Sequence, residues 1–252
     1  MESKNIINSG KKIKKLNIIK SKNKFMGVKS NYILKILFNN IEKRILKIIK
    51  CNINIQKRLN IDINDYKYFS EKFSSIKLEI IPIHSKYGDF INIEGEDKKY
   101  FHIYFNDKKK EIKKTELNKE DKVSKINIII DNQIKSFKYL FSYCKCIESI
   151  NFKQFSRNNI TDMSGMFYGC SSIKVLNLSK FNTNNVTNMR RMFFQCSSLK
   201  ELKLSNFNTN NVTNMSGMFG GCSSLKELNL NNFNTNNVTV MNGMFRGYSS
   251  LN

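Results

Sequence analysis

The chain has 252 residues, 40% of them hydrophobic, with 43 Lys+Arg against 20 Asp+Glu and a formal net charge of +23. That length suits one or two domains with a sizeable core. The composition, with one proline and six cysteines, excludes collagen, a disulfide-stapled mini-protein and an acidic disordered chain. No run of about 18 apolar residues occurs, which excludes a transmembrane helix. The opening MESKNIINSGKKIKKLN has positive charge but lacks the apolar stretch of a signal peptide.

Residues 1–30 are rich in Lys, Asn and Ser and read as a basic disordered tail. Residues 1–50 hold 14 Lys+Arg and two acids, Glu2 and Glu42, so a nucleic-acid or anionic-membrane contact, if made, runs through this tail alone. Residues 31–75 read as a helical module. Ile41, Ile45, Ile48 and Ile49 form one helical face, and Tyr66, Phe69 and Phe73 another. The stretch YILKILFNNIEKRILKIIKCN distantly resembles an F-box, a family that implies a ubiquitin-ligase adaptor. Residues 76–122 read as a β-rich segment followed by a charged linker. IKLEIIPI, FINIEGE and KKYFHIYF are the strand candidates, and DKKKEIKKTELNKEDKV over 106–122 is the linker.

From residue 123 the sequence repeats. Cys170, Cys196 and Cys222 are spaced by 26 residues, with Tyr248 in the next place. Phe155, Phe181, Phe207 and Phe233 keep that step, as do Met-Phe pairs at 166, 192, 218 and 244. A weaker register runs back through Leu140-Phe141 and Cys144 to KINIIID near residue 125, which reads as the first strand of the ladder. IKVLNL, LKELKL and LKELNL alternate as short strands with one buried face. Val186, Met189, Met192, Phe193 and Cys196, at offsets 0, 3, 6, 7 and 10, make one stripe of a helix, with Thr187 or Asn188 as its N-cap. The expected architecture is therefore an α/β solenoid, a stack of short parallel strands and short helices behind a small α+β module.

The signature M-F-x-x-C-S-S-L-K-x-L-x-L-x-x-F-N-T-x-N-V-T-x-M over residues 134–252 resembles the BspA-like leucine-rich repeats, also called the 26-residue surface-protein repeat. The resemblance implies a binding solenoid without catalytic residues, found on microbial cell surfaces and in large arrays of protist proteins. The ladder stops at Ser249-Ser250-Leu251-Asn252, one residue pair into a new strand, which points to a truncated chain.

Chemistry is sparse. A column of cysteines, one per repeat, does not converge on one ion, so no metal site is expected, and no cofactor. His84 and His102 lie in the β-like stretch without a nucleophile at useful spacing. The sequons at Asn159, Asn185, Asn211 and Asn237 arise from the repeat itself. Binding is expected on outward strand positions: Asn151 and Lys153; Val175, Asn177 and Ser179; Glu201, Lys203 and Ser205; and Glu227, Asn229 and Asn231. The function expected is non-catalytic recognition of a protein, with a glycan as the other option and no small-molecule substrate. Free thiols and the missing signal peptide place the chain in the cytoplasm; the family resemblance makes a surface adhesin the alternative.

Overall fold

A computed structural model describes residues 52–59, 64, 67, 71 and 73–248. The chain divides into two units, Met1–Ser70 and Glu71–Asn252. In the first, the described residues form helix α1 (Ile53–Leu59). The basic tail, the F-box-like stretch up to residue 51 and the last four residues lie outside the described residues.

The second unit is mostly β. Its strands are β1 (Ile76–Pro82), β2 (Gly88–Asp89), β3 (Phe101–Phe105), β4 (Glu116–Leu117), β5 (Ile126–Ile130), β6 (Ile147–Gln154), β7 (Val175–Asn177) and β8 (Glu201–Lys203). Six of them form one mixed sheet in the order β3-β5-β1-β6-β7-β8. Strands β3, β5, β1 and β6 pair antiparallel; β6, β7 and β8 pair parallel. Alternation explains the inner face: Ile76, Leu78 and Ile80 of β1, and Ile126, Ile128 and Ile130 of β5, are buried while the residues between them are not. KINIIID is thus a strand, but not the first step of the parallel ladder, because β1 lies between it and β6. FINIEGE does not form a strand. Phe90 and Ile91 turn into the core, and Gly95–Tyr100 makes a 3-10 helix. The charged stretch over 106–122 is folded in: Ile112 donates to Ile103 O, β4 pairs with β2, and Leu117 is buried.

The expected α/β solenoid of strands and short helices is not what forms. Among the described residues no α-helical residue occurs after Glu71. The stripe over 186–196 is a run of tight turns. Met192, Phe194 and Cys196 donate N–H bonds to Met189, Arg191 and Phe193, three residues back. Met189, Arg191, Phe193 and Gln195 instead donate to the next repeat, at Asn214, Ser216, Met218 and Gly220. A helix cannot do this, since all its amides point along one axis. Arg191 and Gln195 have φ of 52° and 58°, and Gly217 and Gly221, one repeat on, 62° and 73°. Left-handed residues every fourth position break helical winding. Asn188 does not cap a helix; its side chain accepts the Arg190 N–H in a local turn.

Two phenylalanine columns run through the core. Phe141, Phe167, Phe193 and Phe219 stack at 5.6–5.7 Å. Phe155, Phe181 and Phe207 stack behind the strands. The cysteines fill the turn ends, and Cys170, Cys196 and Cys222 each donate the thiol hydrogen to a carbonyl of the preceding repeat, Phe141, Phe167 and Phe193.

The turn geometry makes a prediction. Gln195→Gly removes a side chain from a left-handed position and should raise stability by about 1 kcal/mol. In a helix the same change would cost about 0.5–1 kcal/mol. Urea unfolding followed by circular dichroism distinguishes the two by sign.

Candidate functional site

The outward face of the six-stranded sheet carries a continuous row of side chains. Cross-strand partners run Tyr104, Asn127, Glu79, Asn151, Asn177 and Lys203, from one edge strand to the other. Partners in register share a face, so all six look away from the core. Three belong to the strand positions expected to bind. The other three come from the antiparallel strands: Glu79 and Tyr104 from the segment that sequence reading treats as a separate module, and Asn127 from KINIIID, read as the first strand of the ladder. Glu79 holds Lys153 at 3.1 Å, and Glu201 holds Lys203 at 2.9 Å. Val175 is 46% exposed between these charges.

The remaining sequence-derived residues spread beyond the sheet. Ser179 and Ser205 follow the ends of β7 and β8. Their carbonyls accept the side-chain amides of Asn206 and Asn232, one repeat on. Glu227, Asn229 and Asn231 are exposed, but their repeat forms no strand, so they lie past the sheet edge.

The histidines separate. His84 is exposed beside Ser85, with its Nδ1 2.7 Å from the Ser85 hydroxyl. His102, on β3, lies between Glu111 and Asp131 with each ring nitrogen 3.3 Å from a carboxylate oxygen. Among the described residues no group of His, Cys, Asp and Glu is placed to hold a metal ion. The five described cysteines are free and buried. Burial pushes the thiols of Cys170 and Cys196 well up, that of Cys222 to about 12 and that of Cys146 to about 11. Protonated, hydrogen-bonded thiols of this kind are packing groups, not nucleophiles. The sequon asparagines are likewise in use: Asn185, Asn211 and Asn237 donate their side-chain amides to Asn158, Asn184 and Asn210 of the preceding repeat.

A second surface was not anticipated from the sequence. On the turn side, across the core from the sheet, Tyr139, Tyr143, Tyr168 and Phe194 form a partly exposed ridge. Tyr143 meets Tyr168 edge-on at 5.1 Å, and Tyr168 stacks on Phe194 at 5.3 Å. Three of the four rings sit over glycines: a Cβ on Gly165 would run into the Tyr139 ring, one on Gly169 would come within 2.6 Å of Tyr143, and one on Gly220 within 2.8 Å of Phe194. The signal was available by aligning the repeats, because 142/168/194/220/246 read Ser, Tyr, Phe, Gly, Arg where the core columns barely change.

Among the described residues no helix is long and apolar enough to cross a membrane. No curated protein and no solved structure matches the chain. Residues 132–252 match the family described as Mycoplasma protein of unknown function, DUF285. This corrects the resemblance drawn from the motif: the repeat half is similar to DUF285 and is not assigned to the BspA-like leucine-rich repeats, in keeping with repeats that stack through turns and not helices.

Proposed function

We propose that this chain is a non-catalytic recognition protein that holds a partner protein against the outward face of its six-stranded sheet. The observation that supports the reading is the unbroken row from Tyr104 to Lys203. Five strand spacings of about 4.8 Å make it roughly 24 Å wide. That is the scale of a protein interface, and small ligands prefer concave, enclosed sites. The face mixes both charge signs around the exposed Val175, a pattern that gives specificity more than bulk affinity. Residues 131–252 hold 13 Lys+Arg and five acidic residues, so a partner with an acidic surface gains the faster association. A cytoplasmic setting belongs to the same proposal and rests on the free, buried thiols.

The test pairs a variant with cross-linking. Glu201→Ala with Lys203→Ala removes a half-exposed ion pair worth under about 1 kcal/mol to folding, so melting should scarcely move. Affinity for the partner isolated from the native cells should fall roughly tenfold, about 1.4 kcal/mol. Amine cross-links to that partner should start from Lys77, Lys153 and Lys203 and not from Lys138 or Lys145 on the turn side. Undiminished capture with cross-links from the turn side would refute the proposal.

A further inference from the structure

The turn side holds a hollow of about 330 Å³ beyond Phe194, lined among others by Arg190, Arg191, Phe194, Ser216, Gly217 and Arg246. We propose that it is a binding site for an oxyanion, the phosphate or sulfate group of an esterified ligand.

The hollow follows from the residues that change between repeats. One column reads Phe194, Gly220, Arg246, and its neighbour reads Arg191, Gly217, Gly243. A bulky repeat, a glycine repeat and an arginine repeat therefore follow in order. The Phe194 ring and the Arg191 side chain lean over the glycines of the middle repeat, and the hollow opens beyond them toward Arg246. One wall is fixed in place. Phe194 is stacked on Tyr168, the Arg191 guanidinium lies 5.4 Å from the Phe194 ring, and the Arg191 side chain packs against Gly217.

The charge on this hollow is uncompensated. No acidic residue lines it. Among the described residues, no carboxylate forms an ion pair with Arg190, Arg191 or Arg246. Some lysines elsewhere in the unit find acids, as Lys114 does with Asp121 and Lys153 with Glu79, whereas the hollow gathers three arginines with none. Three guanidinium groups around one space repel each other, and a bound oxyanion turns that repulsion into attraction. Guanidinium forks match the oxygen geometry of phosphate and sulfate. The site lies across the core from the sheet face and does not depend on the partner proposed for that face.

The experiment uses the full chain and two probes on one carrier, glucose 6-phosphate and glucose 6-sulfate, titrated by calorimetry. Arg190→Ala with Arg246→Ala should weaken binding at least tenfold. Lys174→Ala with Lys200→Ala removes the same charge from exposed positions elsewhere and should change it less than twofold. Asn242→Glu, an acid placed on the exposed rim, should weaken binding without truncating an arginine, which guards against a folding defect in the double variant. Equal losses in the arginine and lysine variants, or no loss in either, would overturn the site. The probes sort the source. A phosphate monoester is a dianion above its second pKa near 6, so tighter phosphate binding at pH 8 that equals sulfate at pH 5 identifies a phosphorylated ligand. Equal binding at both pH values identifies a site for any singly charged oxyanion, sulfate esters included.

Discussion

Phe193→Ala should lower the unfolding free energy of the repeat unit by roughly 3–5 kcal/mol, the range for removing a buried aromatic ring. Phe193 has no exposed surface, and it is stacked 5.7 Å from Phe167 and 5.6 Å from Phe219 with nearly parallel planes. Truncation opens a void that neither neighbour can fill, because both are pinned in the same column. Each repeat buries its apolar stripe only against the next, so the loss falls on two interfaces at once. Tyr143→Ala, on the ridge, removes a ring that is 54% exposed and should cost less than about 1.5 kcal/mol. Urea unfolding by circular dichroism reads both variants. A loss below about 1 kcal/mol for Phe193→Ala would show that the phenylalanine column does not hold the repeats together.

That column shows what a sequence can and cannot reveal. The 26-residue period and the inward positions are legible, since burial imposes the same residue types in every repeat. Val186, Met189, Met192, Phe193 and Cys196 are all buried. Their winding is not legible from apolar spacing alone. Offsets of 0, 3, 6, 7 and 10 suit a helix, yet they also arise when tight turns alternate bonds within and between repeats. The discriminating residues are the small ones: Gly165, Gly217 and Gly243 fall in mid-stripe, where a helix would disfavour them and a left-handed turn favours them, although Tyr139 and Arg191 take the same conformation in the same column.

Long-range pairing is hidden for a different reason. The alternation in IKLEIIP announces a strand with one buried face, but its two neighbours are about 50 and 70 residues away in sequence and nothing local encodes them. Asn151, Asn177 and Lys203 are therefore readable as one outward row, while Glu79, Asn127 and Tyr104 join it only through tertiary structure. The arginine hollow is hidden again differently. Arg190 and Arg246 stand in separate repeats and come together only once the columns are stacked.

Arg157→Thr should destabilise the unit by roughly 2–4 kcal/mol, although it makes the repeats more alike. Positions 183, 209 and 235 are threonine in the later repeats. Consensus replacements commonly stabilise a protein. Here the first repeat differs for a structural reason. Arg157 is fully buried, and its guanidinium donates to the carbonyls of Asp131 and Ile134, at the end of β5 and the start of the first turn run. It thus ties the antiparallel strands to the repeats. Thr183 and Thr209 reach only the adjacent repeat, through Asn208 O and Asn234 O. A threonine at 157 leaves Ile134 O without a donor and Asp131 O with only the long 3.4 Å bond from the Ile134 N–H. Each buried carbonyl left short of a donor costs about 1–3 kcal/mol. The sum is partly offset because a guanidinium no longer has to be buried, a strain visible in its pKa, which burial lowers to about 10. Arg157→Lys, with one charged head for two carbonyls, should fall between the wild type and threonine. A threonine variant as stable as the wild type would show that the sheet and the repeats are joined by β1–β6 pairing alone. The measured order, wild type above lysine above threonine, would identify Arg157 as the side chain that locks the first repeat to the strands before it.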